Sequence, residues 1–89
     1  MRFTWDEAKR SRNLKDHGLD LIDAERVFDG PTYTYEDDRF GYGEQRFVSL
    51  GLLEGIPVSI VHTETRDCVH LISFRKATRR ETEIFIKNL

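Results

Sequence analysis

The stretch from Val69 to Ile86 restricts the possible folds more than any other. It begins as Val-His-Leu-Ile-Ser-Phe, an apolar and aromatic run suited to a half-buried pleated surface. It continues through Arg75-Lys76-Ala77-Thr78 into Arg79-Arg80-Glu81 and Thr-Glu-Ile-Phe-Ile. Thr78 and Glu81 have the Thr-x-x-Glu spacing of a capping box, in which hydroxyl and carboxylate each satisfy a backbone N–H left free by the helix start. The stretch therefore predicts a buried strand, a cationic elbow and a helix over about Arg79 to Asn88. The elbow places Arg75, Lys76, Arg79 and Arg80 where the helix dipole prefers anions. Such a cluster is either a solvated turn balanced by Glu81 and Glu83 or a seat for an anion.

Upstream, the apolar period changes once. Phe3-Thr4-Trp5 reads as a short strand or anchoring arm. Asp6 is a good N-cap for a helix over about Glu7 to Asp16, closed by His17-Gly18. Asp20 caps a second helix, about Leu21 to Phe28, with Ala24, Val27 and Phe28 on one buried stripe. After Gly30-Pro31 the period becomes two. Tyr33 to Glu36 alternates, Asp37-Asp38 turns, and Arg39 to Gly43 is rich in glycine and aromatics. Glu44 to Leu53 predicts a strand, Glu54-Gly55 a hairpin turn, and Val58 to Thr63 a strongly apolar strand. On these strands Val58, Ile60 and His62 share one face, and Val69, Leu71, Ser73 and Arg75 share one on the next. The expected order is β-α-α-β-β-β-β-α. The fold class is α+β, with two N-terminal helices, an antiparallel sheet of three to four strands and a C-terminal helix.

With 89 residues the chain has room for one small domain, spanning residues 1–89. Such a domain is marginally stable alone and gains from a partner subunit. No apolar run is long enough for a membrane span or a secretory signal, and the one cysteine, Cys68, rules out an internal disulfide and a cysteine-built zinc site. A reducing cytoplasm is the expected setting, with no membrane partner. The net charge of −2 argues against indiscriminate nucleic-acid binding. Its distribution is uneven: residues 1–19 carry +2, 20–44 carry −6, 45–65 carry −1 and 66–89 carry +3. Two basic ends around an acidic middle allow an anion-binding face and, elsewhere, an acidic face for a basic partner.

The histidines, His17, His62 and His70, are far apart, no His-x-x-x-His pair exists, and Gly41-Tyr42-Gly43 lacks the rest of any phosphate-loop fingerprint. No metal site and no cofactor are expected. No nucleophile-elbow motif supports a Ser-His-Asp triad. The remaining groups suffice for metal-independent RNA cleavage. That reaction needs a base for the 2′-hydroxyl, an acid for the leaving 5′-oxygen and cations for the charge gained at phosphorus. The candidate catalytic residues are His62 for proton transfer, with Glu81 and His17 behind it, and Arg46, Arg75 and Lys76 for the phosphate. The candidate substrate-binding residues are Arg79, Arg80 and His17. Tyr33, Tyr35 and Tyr42 are either amphipathic packing or base-stacking platforms.

An ordered set of these residues resembles the BrnT family of type II toxins, a branch of the RelE-like ribonuclease toxins. The set comprises Phe3-Thr4-Trp5-Asp6, Lys9, Asn13-Leu14, His17-Gly18, Ala24-Glu25-Arg26-Val27-Phe28 and Asp38-Arg39. It continues with Gly43-Glu44-Gln45-Arg46-Phe47, Leu50-Gly51, Val61-His62-Thr63, Ile72 to Thr78, and Glu81. The resemblance runs collinearly over almost the whole chain. It implies a RelE-like fold and an RNA endonuclease that blocks translation. It also implies a cognate antitoxin of the BrnA type, with a ribbon-helix-helix region through which the complex reaches operator DNA. The alternative is a catalytically inactive relative, a partner-binding module that acts as a co-repressor with a ribbon-helix-helix protein.

Overall fold

A computed structural model describes residues 1–38, 41 and 43–89 of the chain. The element order is the expected one: β1 (Arg2–Thr4), α1 (Glu7–His17), a 3-10 turn (Leu21–Asp23) running into α2 (Ala24–Phe28), β2 (Tyr33–Glu36), β3 (Phe47–Leu53), β4 (Ile56–Glu64), β5 (Cys68–Lys76) and α3 (Arg79–Lys87). The expected loop at Arg39 to Gly43 lies partly outside the described residues, as does Tyr42.

The sheet departs from the expected antiparallel meander of three to four strands. It has five strands in the order β1-β5-β4-β3-β2, and β1 joins β5 in parallel, with Phe3 opposite Val69 and Thr4 opposite His70. The remaining pairs are antiparallel. Between β3 and β4 the Glu54-Gly55 turn takes φ values of 51° and 80°. Two positive φ values are what a two-residue hairpin of matching twist requires, and only the second falls on glycine.

Local capping decides the helices. Asp6 accepts from the N–H groups of Ala8 and Lys9, and Gly18, at φ 71°, donates its N–H to the Leu14 carbonyl. Thr78 and Glu81 form both halves of the capping box. Apolar burial then sets which face of the sheet each helix covers. Leu21, Ala24 and Val27 pack on Val58, Ile60, Val69, Leu71 and Phe74, all essentially inaccessible. Gly51 lets α2 approach: a Cβ there would lie 2.6 Å from Val27 Cγ1. The opposite face carries a smaller core, where Phe85 and Ile84 of α3 pack on Val48 and Leu50 beside Tyr33, Tyr35 and Val61. Each fully buried Leu, Ile, Val or Phe contributes roughly 1.5–3 kcal/mol, so the first face supplies most of the stability.

α1 buries almost nothing apolar; its buried residue is Asn13. β1 ends at Thr4, so β5 would have a bare edge beyond His70. Asn13 fills that edge. Its amide nitrogen donates to the Phe74 carbonyl at 2.8 Å and to the Leu19 carbonyl at 2.8 Å, and its amide oxygen accepts from the Phe74 N–H at 3.0 Å. One carboxamide thus replaces a missing strand residue and satisfies a buried peptide. Arg10 closes the same helix onto the following segment through Asp20, at 2.8 and 3.1 Å. That hydrogen bond holds the Asp20 carboxyl below the usual carboxylate range.

β5 also carries a bulge. Val61 pairs with Ser73 but His62 pairs with Leu71, so Ile72 is one residue too many. A bulge shifts the alternation by one step. Val69 and Leu71 stay on the α2 face, Phe74 regains it, and Ser73 and Arg75 fall on the other. The expectation that Val69, Leu71, Ser73 and Arg75 share a face is therefore corrected. Val58, Ile60 and His62 do share one: all three are buried on the α2 side.

Candidate active site

The structure divides the seven predicted site residues among four places. His62 lies on the α2 face and is 0 % exposed. Its ring stacks on Phe47 at 6.0 Å and meets the Phe28 ring edge-on at 5.5 Å. Nε2 is 2.8 Å from Ser49 Oγ, which is 2.7 Å from Thr34 Oγ1, and Nδ1 is 3.5 Å from a Glu64 carboxylate oxygen. Burial pushes the imidazole below its ordinary pKa, with Glu64 and the Thr63 backbone pulling more weakly the other way. A serine, a histidine and a glutamate in series look like a nucleophile relay. Ser49 is as deeply buried as His62, however, so this chain of groups holds β2, β3 and β4 together. The expected proton-transfer role of His62 meets a neutral ring that no substrate reaches from solvent.

Arg75, Lys76, Arg79 and Arg80 form the elbow. Arg75 and His62 lie on opposite faces, because Arg75 pairs with Ser59 while His62 shares the side of Val58 and Ile60. The Arg75 guanidinium grips Glu81 with two bonds, at 2.8 and 2.9 Å, and also donates to the Lys76 carbonyl. Glu81 accepts in turn from the Thr78 N–H at 2.8 Å. Burial works against ionisation of Glu81, but the Arg75 hydrogen bond outweighs it and the carboxyl lies below the usual range. Arg75 and Glu81 therefore fasten the start of α3 to the end of β5. The cations left at the surface are Lys76, Arg80 and Arg79, the last 95 % exposed with Glu83 near it at 3.5 Å.

His17 belongs to the third place. On the side where α1 meets the bulge of β5, a groove of about 190 Å³ is lined by Lys9, Arg12, Asn13, Asp16, His17, Ile72 and Ser73. Lys9, Arg12 and Asp16 follow helical spacing, so one stripe of α1 faces the groove with two cations, one carboxylate and the imidazole of His17. Ser73 continues along β5 to Arg75 on the same face, about 7 Å further. The groove and the elbow thus lie along one strand, on the face opposite α2, which α3 covers only in part.

Arg46 precedes β3 on the strand end away from the elbow. Continuing the Phe47–His62 register by one residue puts it on the Val48 side, level with Thr63, and its guanidinium lies 3.4 Å from a Glu44 carboxylate oxygen. The register places Thr63 opposite His70, and His70 opposite Thr4. A row across the open face therefore reads Thr4, His70, Thr63, Arg46. Nothing in the sequence singles out His70 among the three histidines. The only signal for it was alternation, and the unseen bulge put Ser73 and Arg75 on the wrong side of that count. Tyr33 and Tyr35, their ring centroids 5.9 Å apart, pack half-buried against Val48, Leu50 and Phe85. That is the packing option expected of them. Tyr42 lies outside the described residues.

Among the described residues no three His, Cys, Asp or Glu side chains come together to hold a metal ion, and no helix is long and apolar enough to cross a membrane.

Comparison with known proteins places these features in a family. The model of the family described as "Ribonuclease toxin, BrnT, of type II toxin-antitoxin system" matches residues 5–81. The crystal structure of the Brucella abortus ribonuclease toxin BrnT is similar to this one, with a TM-score of 0.65 and 26 % sequence identity, covering 89 % of this chain and 99 % of that one. Comparison with curated protein sequences finds no match.

Proposed function

This chain belongs to the BrnT family of ribonuclease toxins of type II toxin-antitoxin systems, and on that premise we propose that it cleaves RNA by metal-independent acid–base chemistry on the open face of its sheet. The observation that carries this reading is the groove between α1 and β5, where Lys9, Arg12 and His17 line one wall beside Ser73. Lys9 and Arg12 hold the phosphate and offset the charge that phosphorus gains. Arg79 and Arg80 extend the cationic track towards α3 and bind flanking phosphates, while Lys76, paired with Val58, lies on the α2 side of the strand end. Arg46 contacts the phosphate from the other end of the row. Arg75 acts through Glu81 by holding the elbow in place. A general base takes the 2′-hydroxyl proton as the 2′-oxygen attacks phosphorus, the bond to the 5′-oxygen breaks, and a 2′,3′-cyclic phosphate and a 5′-hydroxyl result. His17, exposed in the groove, supplies the proton to the leaving 5′-oxygen.

Cleavage of messenger RNA in this way blocks translation. A BrnA-like antitoxin with a ribbon-helix-helix region neutralises the toxin in the cytoplasm and carries the complex to operator DNA. The purified chain tests the catalytic reading with a labelled single-stranded RNA in the presence of EDTA. Cleavage persists in EDTA and weakens with salt, because phosphate contacts are salt-sensitive. Intact RNA from folded protein across several pH values would overturn it. Tight antitoxin binding together with harmless expression would then favour the inactive co-repressor.

A further inference from the structure

His70 is neither sealed in the core, as His62 is, nor free at a helix end, as His17 is. It is half-buried on the open face of the sheet, in the row with Thr63 and Arg46, two residues before the bulge that lines the groove. Its Nδ1 is 2.8 Å from Thr4 Oγ1. Thr4 Oγ1 is in turn 3.4 Å from Cys68 Sγ, a weak acceptor. β1 exists as a strand for only three residues, and its last residue delivers this hydroxyl through parallel pairing with β5. Among the described residues, Nε2 of His70 has no hydrogen-bond partner. One nitrogen is anchored and the other is unclaimed, which is how a structure presents an imidazole for proton transfer.

We propose that His70 is the general base of the RNA cleavage assigned above, and that Thr4 is its positioning residue; the inference rests on that assignment. With the Thr4 proton directed to Cys68 Sγ, the Thr4 hydroxyl accepts from His70 Nδ1–H. That tautomer leaves a lone pair on Nε2. Nε2 takes the proton of the 2′-hydroxyl as its oxygen forms the bond to phosphorus. The bond from phosphorus to the 5′-oxygen breaks, and that oxygen takes a proton from His17. Arg46 stands two strand spacings away in the row, about 9–10 Å between backbones, where it contacts a neighbouring phosphate of the same strand.

The test uses the full chain and a short single-stranded RNA with one cleavable 2′-hydroxyl. His70→Gln is expected to lower the cleavage rate at least 100-fold, while RNA binding and the thermal midpoint stay unchanged. The acid limb of the rate–pH profile disappears with it. Thr4→Val shifts that limb and lowers the rate less, and Thr4→Ser restores both. Cleavage by His70→Gln within threefold of the parent rate overturns the proposal, as does a Thr4→Val profile identical to the parent. Should His70→Gln fail to fold, His70→Asn, which can keep the bond to Thr4, carries the same expectation. Loss of cleavage in Arg12→Glu with retention in His70→Gln would leave the groove standing and remove His70 alone. A parent chain that cleaves no RNA removes both.

Discussion

His62 and His70 stand almost side by side on neighbouring strands: His62 pairs with Leu71, and its neighbour Thr63 pairs with His70. They share a residue type and nearly a location, yet they face opposite ways. His62 lies between two aromatic rings, its Nε2 bonded to a serine and its charge disfavoured by burial. His70 leans on one threonine and is half-buried on the opposite face. The difference shows that a histidine's chemistry is set by the face it occupies, and that one residue of register decides the face. The face under α2 should answer to substitution in stability, and the open face in activity.

The largest expected effect is on the α2 side. Phe74→Ala removes a fully buried ring and should cost about 3–5 kcal/mol, read as a fall in the urea midpoint. Since small domains hold about 5–15 kcal/mol in all, that variant should be partly unfolded at physiological temperature. A loss below about 1 kcal/mol would mean the two faces do not differ as described. Asn13→Ala comes next. It leaves the Phe74 N–H and carbonyl without their partner at the strand edge, at a cost of about 2–3 kcal/mol. Hydrogen exchange at the Phe74 amide should accelerate with it.

The comparison of the two histidines sharpens through pH. The folded state holds His62 below its ordinary pKa, so the unfolded chain binds that proton more readily. Stability is then full above about pH 6.5 and falls as the pH drops through that value, by up to about 1.4 kcal/mol per unit. His62→Gln should flatten the slope between pH 6.5 and 5; an unchanged slope would show that the buried ring is not its source. Asp20 and Glu81 have depressed pKa values and add their own loss only at lower pH, as each is protonated. The smallest stability effect belongs to the open face. Arg12→Ala should change the unfolding free energy by no more than about 0.5 kcal/mol. It should nonetheless weaken RNA binding and reduce the salt slope by about 0.7 for the lost phosphate contact.

Much of the fold was legible because short-range chemistry specifies it. Asp6, Gly18, Asp20, Thr78 and Glu81 announce helix ends within a few residues of themselves, and each caps as expected. The alternation at Val58, Ile60 and His62 reads directly as a buried face. What could not be read depends on distant partners. The short strand at Phe3-Thr4-Trp5 is readable, but its parallel seat beside Cys68–His70, 66 residues away in sequence, has no local signal. The extra residue at Ile72 leaves no local mark, yet it turns Ser73 and Arg75 to the open face. The cations of the elbow were recognisable as a cluster. That Arg75 would be committed to Glu81 was not, because the capping role of Glu81 alone accounts for that carboxylate in the sequence.

The carboxamide of Asn13 also bears on how the chain behaves in a crowd. A sheet border with free N–H and carbonyl groups invites strands from other molecules, and proteins blunt such borders with short strands, charges or covering segments. On one side this sheet ends at β2, four residues followed by Asp37 and Asp38. On the other, β1 covers the first third of β5, and a single side chain from α1 occupies the backbone groups of Phe74. Asn13 therefore guards against intermolecular strand addition as well as closing the fold, at the strand that forms one wall of the groove beside α1.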